Sequence, residues 1–327
     1  MAHKQTGKVT IANIVSMVGV ALLMVFTFIG YSLKSGGEMG MDLLITILIS
    51  SFTALMLWFL IKAKGAENNL DKWIVAEIIT LVVYVGVMVY TTLFGGIMHF
   101  FVVNENKENI KEYANSDIQK LENMFVQYEE FERNAVATTR QGLTNATQRN
   151  QYKTDSLKTF MQENQIDASH VEVYADGQMS IVLGTNYEQA RERLNNLRND
   201  VTACVEGWSI LRVGSMAKNI EEYAINFQDV LTELSSMTNL PIIEYDRTQR
   251  KYSIVVADQS AEFKVEGGIE SLQFKQAITQ ADGFSIVAIV VAILIHTLIL
   301  FNYIMAYRTR TIRVGKDTEE DGGRILY

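Results

Sequence analysis

Cysteine and proline are almost missing from this chain of 327 residues; Cys204 and Pro241 stand alone. A single cysteine excludes an intramolecular disulfide, so any large domain must be held by packing. A single proline leaves long helices free to run without breaks. Histidine is scarce too. His3, His99, His170 and His296 fall in separate segments, too dispersed to form a metal site in one chain. The common chemical signatures are also missing: Gly-x-Ser-x-Gly, the P-loop, Gly-x-Gly-x-x-Gly after a strand, and His-Glu-x-x-His. Ser215-Met-Ala-Lys218 matches Ser-x-x-Lys, but its Ser-Asp-Asn and Lys-Thr-Gly companions are absent, and so short a pattern arises easily by chance. The expectation is a protein without cofactor, without metal and without enzymatic activity.

What the chain does contain is long apolar runs, at residues 9–33, 43–61, 73–95 and 284–307. Each is long enough to cross a hydrocarbon core of roughly 30 Å as a helix. Apolar character continues after Gly95-Gly96 to Val103, so the third run is expected to project beyond the bilayer. The polar block 104–283 lies entirely between the third and fourth runs. It is long enough to form an ordinary domain with its own core. It holds 28 acidic and 18 basic residues, a net charge of −10. That balance excludes nucleic acid as a partner, because phosphate contacts need clustered Lys and Arg. It also disfavours electrostatic attachment to anionic lipid.

Charge orients the spans. Lys4 and Lys8 precede the first run. Lys62, Lys64 and Lys72 flank the second loop, and Arg308, Arg310, Arg313, Lys316 and Arg324 follow the last run. The first loop has only Lys34 against Glu38 and Asp42. Positive charge on the inner side makes both termini cytoplasmic and places the polar block outside. The expected order is a tail (1–8), a first span (9–33), an outer loop (34–42), a second span (43–61) and an inner loop (62–72). A third span with a projecting end (73–103), an extracytoplasmic domain (104–283), a fourth span (284–307) and a tail (308–327) complete it. The first run is too long for a cleaved signal and reads as an anchor. Trp58, Trp73, Tyr31, Tyr90 and Tyr307 sit near run ends, as interfacial aromatics do. A composition rich in Lys, Asn and Ile and poor in Cys and Pro suggests a bacterial inner membrane.

In the polar block, Ile118, Leu121, Phe125 and Tyr128 recur in steps of three and four. They predict a long helix over 105–150, broken near Gly142, with an apolar stripe packed inside its own domain or paired in a homo-oligomer. Helices are expected over 187–204 and 213–237. Two segments, 157–184 and 230–258, both read as helix–strand–turn–strand. Their strands run over His170–Tyr174, 179–183, 241–245 and 252–256, and a further strand is expected over 261–265. The predicted class is α+β: long helices with a small antiparallel sheet built from β-hairpins, on four transmembrane helices.

Two ionisable residues fall inside the apolar runs: His296 near the middle of the fourth, and Glu77 about one turn inside the third. Intramembrane ionisable groups are costly and often mark ion or proton paths. Glu77, Thr80, Tyr84 and Thr91 share one helical face; Thr46, Ser50 and Thr53 share another, as do Asn13 and Ser16. Such faces line a pore or hydrogen-bond between helices. For His296 the plain reading is a neutral packing residue, and for Glu77 snorkelling or a pair with Lys72.

In outline the chain resembles a tetraspanin, with four spans and a large domain before the last. The likeness is one of topology alone, since the family's Cys-Cys-Gly motif and paired cysteines are absent. The leading expectation is a scaffold or anchor in a multiprotein envelope assembly, whose partners are membrane lipid and other proteins or further copies of itself. An oligomeric ion or proton conduit and a sensor relaying an external signal are the alternatives.

Overall fold

A computed structural model describes residues 3–64, 70–149, 153–238, 240–256 and 269–306. The chain divides into two compact units. One holds 1–105 with 282–327, and the other holds 106–281.

The first unit contains four helical segments long and apolar enough to cross a membrane, the composition of a multi-pass membrane protein. They are helix α1 (His3–Ser35), helix α2 (Met39–Lys64), a third span over Trp73–Glu105, and the last helix among the described residues, α12 (Ile286–Met305). The third span is not a uniform α-helix. It runs through α3 (Leu70–Val83), a π-helical segment (Tyr84–Val89), a short α4 (Tyr90–Thr92), a second π segment (Leu93–Ile97) and α5 (Met98–Glu105).

The outward faces of these helices are apolar: Leu43, Leu48, Leu55, Ile79, Val82, Val290 and Ile293 are all exposed. Many of their polar side chains are turned inward, with Ser16, Thr27, Thr46, Ser50, Thr53, Thr92 and His296 buried. This reversal suits a hydrocarbon solvent. Small residues let the backbones approach. A Cβ at Gly30 would lie 2.0 Å from the Gly96 carbonyl oxygen, and one at Gly19 would lie 2.7 Å from the Ile299 nitrogen. Between α1 and α2 the chain reverses through Gly36 and Gly37, both left-handed (φ 73° and 93°). Gly37 N–H donates to Ser32 O, and Ser35 Oγ donates to the buried Asp42 carboxylate at 2.8 Å.

The second unit is organised on α6 (Lys107–Gln148), a helix of 42 residues. Around it lie α7 (Asp155–Glu163), α8 (Val171–Val182), α9 (Thr185–Glu206), α10 (Ile210–Ser236) and α11 (Phe274–Thr279). The predicted stripe is buried: Ile118, Leu121, Phe125 and Tyr128 are each 5% exposed or less. Phe125 stacks on Phe227 at 3.9 Å between centroids and meets Tyr187 edge-on at 5.5 Å. Such pairs contribute about 0.5–1.5 kcal/mol each beyond burial. α10 runs parallel to α6, since Phe227 lies beside Phe125 while Glu221, paired with Lys275, lies near Asp117, which holds Phe274. α9 runs antiparallel, with Tyr187 against Glu129 and Arg198 against Glu122.

The expected strands over His170–Tyr174 and 179–183 are instead the single helix α8. Alternation in Val171, Val173 and Met179, Ile181 suggested strands, but burial follows the helical set. Val171, Ala175 and Val182 are buried, whereas Val173 is 66% exposed. Tyr174 and Met179 join the same side, against the core formed with Leu143, Val136 and Leu240. Asp176-Gly177, taken for a turn, lies on the exposed face. The similarity between 157–184 and 230–258 therefore has no structural counterpart. The described residues contain one hairpin, β1 (Ile242–Asp246) with β2 (Lys251–Val256), paired antiparallel with Ile243 opposite Ile254. Asp246 Oδ1 accepts from Thr248 and Gln249 N–H in its turn. The strand expected over 261–265 lies outside the described residues. The architecture is mostly helical with a small two-stranded sheet, rather than layered α+β.

The break expected near Gly142 is not there; α6 is continuous through it. That glycine serves close approach instead, since a Cβ would lie 2.7 Å from Ile243 Cβ. At the end of α9, Trp208 takes a left-handed conformation (φ 45°). Its N–H donates to Val205 O, and Ser209 N–H donates to Cys204 O, which closes a Schellman turn. Glycine is usual at that position, and a bulky side chain there costs on the order of 1–2 kcal/mol.

Candidate functional site

His296 is buried in the first unit, and both ring nitrogens have partners. Nδ1 lies 2.8 Å from Tyr84 Oη, and Nε2 lies 2.8 Å from Thr92 Oγ1. The Thr92 hydroxyl also donates to Met88 O at 2.8 Å. It has one hydrogen; when that hydrogen goes to Met88 O, Thr92 accepts from a protonated Nε2, and Nδ1 of the neutral ring accepts from the Tyr84 hydroxyl. The chain Tyr84 O–H, His296, Thr92, Met88 C=O is complete with every donor used. The opposite tautomer would compete for the Thr92 hydrogen and turn the Tyr84 proton away from the ring.

The π segment Tyr84–Val89 makes this possible. In a regular α-helix, eight residues overshoot two turns by about 80°, so Tyr84 and Thr92 would face different directions. A π turn bonds i to i+5 and winds more slowly, which absorbs the excess. Regular periodicity selects Thr91 as the partner of Tyr84's face. Thr91 is only half-buried and donates to Met88 O, whereas Thr92 is fully buried and meets the imidazole. Nothing in the residue spacing announced the phase shift.

Glu77 is buried and accepts a hydrogen bond from Tyr303. Tyr303 is seven residues from His296 on α12, and Glu77 is seven residues from Tyr84 on the third span. The two helices are thus joined by two polar rungs one heptad apart, at depths differing by roughly 10 Å. Lys64 reaches the outer rung. Its ammonium donates to Tyr303 O at 2.7 Å and lies 4.6 Å over the Tyr303 ring, where it offsets the negative end of α12. Asn302 joins α12 to α1 through Asn13 and through Ser16 Oγ. The expected partner of Glu77, the Lys72 side chain, lies outside the described residues. So do the arginines after residue 307 and the side chains of Lys4 and Lys8. Thr80 turns back on Ala76 O, and Thr46 and Thr53 bond to the carbonyls of Asp42 and Ile49.

In the polar unit, Ser215 Oγ donates to Arg212 O and Lys218 pairs with Glu222, so this pair makes no mutual contact. Cys204 is buried, and burial pushes its thiol up. His170 Nδ1 lies 2.8 Å from Asp167 at the start of α8. Hydrogen bonds from Ser169 and from His170 hold the Asp167 carboxyl below the usual carboxylate range. No cluster of metal-ligating side chains occurs among the described residues. Comparison with protein families, with curated proteins and with solved structures finds no match.

Proposed function

We propose that this protein is a non-enzymatic membrane scaffold whose polar unit binds other proteins of an envelope assembly. One observation carries the reading. The polar unit is a long helical body whose two connections to the membrane spans are brought to one end. Its spine α6 starts at Lys107, right after the third span, and α11 shortly before the fourth span is fastened to the same part of α6 through Asp117. A body of about 60 Å along α6 offers a large side surface. That suits docking of partners.

The distribution of Lys and Arg supports a bacterial inner membrane, cytoplasmic termini and an extracytoplasmic polar unit. The conduit alternative gives His296 a titrating role. Its satisfied neutral hydrogen bonds favour an interhelical fastening instead.

The test is purification of the tagged full chain from its native membrane in mild detergent, with mass spectrometry and particle sizing. Stoichiometric co-purifying proteins, lost on deletion of residues 106–281 while the spans still insert, are the expected result. A homo-oligomer without partners would overturn it. In that case His296→Leu would be assayed for loss of ion flux in liposomes.

A further inference from the structure

One cavity of the acidic polar unit gathers positive charge. It measures about 710 Å³, within the range of roughly 300–1,000 Å³ that suits small molecules. Its described lining comes from α7, α8, the loop between them and the approach to α7, all within one unit. Lys153, Lys158, Gln162 and His170 contribute polar groups. Met161, Ile166 and Val173 contribute apolar wall. Asp167 is the one carboxylate in this lining, and its Oδ1 is heavily engaged. It accepts from Ser169 N–H, Ser169 Oγ and His170 N–H, and lies 2.8 Å from His170 Nδ1.

The frame of the cavity is well fastened. Lys153 bridges β2 at Tyr252, and Thr154 N–H donates to Tyr252 O at 3.0 Å, so the hairpin holds the lysine's backbone. The Lys153 side chain is buried. In the loop from α7 to α8, Ile166 N–H donates to Met161 O at 2.7 Å and Asn164 Nδ2 donates to Phe160 O at 2.9 Å. Met161 and Ile166 belong to the core beneath. A site built in advance loses little entropy on binding. Burial depresses the Lys153 ammonium, and the charge of Lys158 adds to the effect. An anion beside them offsets both. Lys153 interacts within the protein as well, and the three donors of an ammonium leave room for a ligand beside that contact. Lys158 also meets Asp155 at 3.1 Å, an exposed pair of little strength that a ligand can share.

We propose that this cavity binds a small organic monocarboxylate with an apolar body. Lys153 and Lys158 take the carboxylate, and the Gln162 amide is a further donor. Met161, Ile166 and Val173 cover the body. His170 turns Nδ1 to Asp167, which leaves Nε2 for a polar substituent of the ligand. The two ammonium charges and the Asp167 carboxylate sum to +1, which matches a single carboxylate. Inorganic phosphate or a polyphosphate would bring excess negative charge toward Asp167 and nothing for the apolar wall. The site needs no protein partner and stands apart from the scaffold role.

The experiment uses the full chain in mild detergent with 4-fluorobenzoate as the probe, read by fluorine NMR linewidth. Saturable broadening is expected. Benzoate and 3-methylbutanoate should reverse it, whereas benzamide and inorganic phosphate at the same concentration should not. Lys153→Gln should abolish binding, but it alters a buried residue. Lys158→Gln and Val173→Glu change exposed side chains, so the fold should hold while each weakens binding about tenfold, one by removing an ammonium and the other by adding a repelling carboxylate. These two variants also control for partition of the probe into micelles. Absence of saturable broadening, displacement by benzamide or by phosphate as effective as by benzoate, or undiminished binding in both Lys158→Gln and Val173→Glu overturns the proposal.

Discussion

Replacing Asp117 by alanine should open the segment that leads into the fourth span. This carboxylate is fully buried on α6. Its Oδ2 accepts from Gln273 N–H at 2.8 Å and Phe274 N–H at 2.7 Å, and its Oδ1 accepts from Lys120 at 3.0 Å. Helix α11 has no side-chain cap of its own, so Asp117 caps it from a distant part of the chain. Hydrogen bonds to a charged group contribute about 1.5–3 kcal/mol each. Losing two, with Lys120 keeping only Ser271 O among its bonds here, should cost about 3–5 kcal/mol. A global unfolding energy is ill-defined for a two-unit membrane protein. Hydrogen exchange by mass spectrometry on the full chain in mild detergent reads the local loss directly. At about 1.4 kcal/mol per tenfold, protection over 273–278 should fall by about two to three and a half orders of magnitude. Peptides around Phe125 should change far less. Asp117→Asn keeps an acceptor for the two N–H groups but sets an amide against Lys120, so its loss should be nearer tenfold. Unchanged exchange over 273–278 in the alanine variant would refute the reasoning.

Gly177 lies on the exposed face of α8, and a Cβ there would meet nothing within 4 Å, so Gly177→Ala should stabilise α8 by about 0.5–1 kcal/mol, read as slower exchange over 171–182. Tyr84→Phe and Thr92→Ala should each cost about 0.6–1.7 kcal/mol, read as faster hydrogen exchange over 84–92 in mild detergent, and the double variant should be non-additive because both touch one imidazole; strict additivity would dissolve the chain through His296. Gly30→Ala forces α1 from the Gly96 carbonyl and should cost about 1–3 kcal/mol, read as faster exchange around Gly30 and Gly96. The Asp167 carboxylate, which accepts from Ser169 and His170 N–H in the turn before α8, has a depressed pKa when folded, so its stabilisation is present above the unfolded value of about 3.9 and is lost as pH falls through the lower folded value. Exchange at the start of α8 should therefore stay constant from neutral pH to about 4 after correction for intrinsic rates, and rise only below it.

Much of the architecture is decided by composition along the chain. Apolar runs of nineteen or more residues can satisfy their backbone in lipid only as helices, whatever surrounds them. The stripe Ile118, Leu121, Phe125, Tyr128 needs only the helical period to define a buried face. The hairpin over 242–256 was legible because β-branched strands flank a polar turn opened by Asp246. Other features depend on contacts between distant residues. Val171-Glu-Val-Tyr alternates as a strand does, and only the core of Leu143, Val136 and Leu240 selects the helix. Gly142 reads as a break until Ile243 packs against it. Thr92 replaces Thr91 beside His296 because the π segment Tyr84–Val89 shifts the phase of the third span, and α11 is capped by a carboxylate more than 150 residues away. Periodicity is a local property of the chain and survives in the sequence. Which partner fills a face, which hydrogen-bond donor is met and where a helix changes pitch are settled by neighbours remote in sequence, and these exist only in the folded molecule.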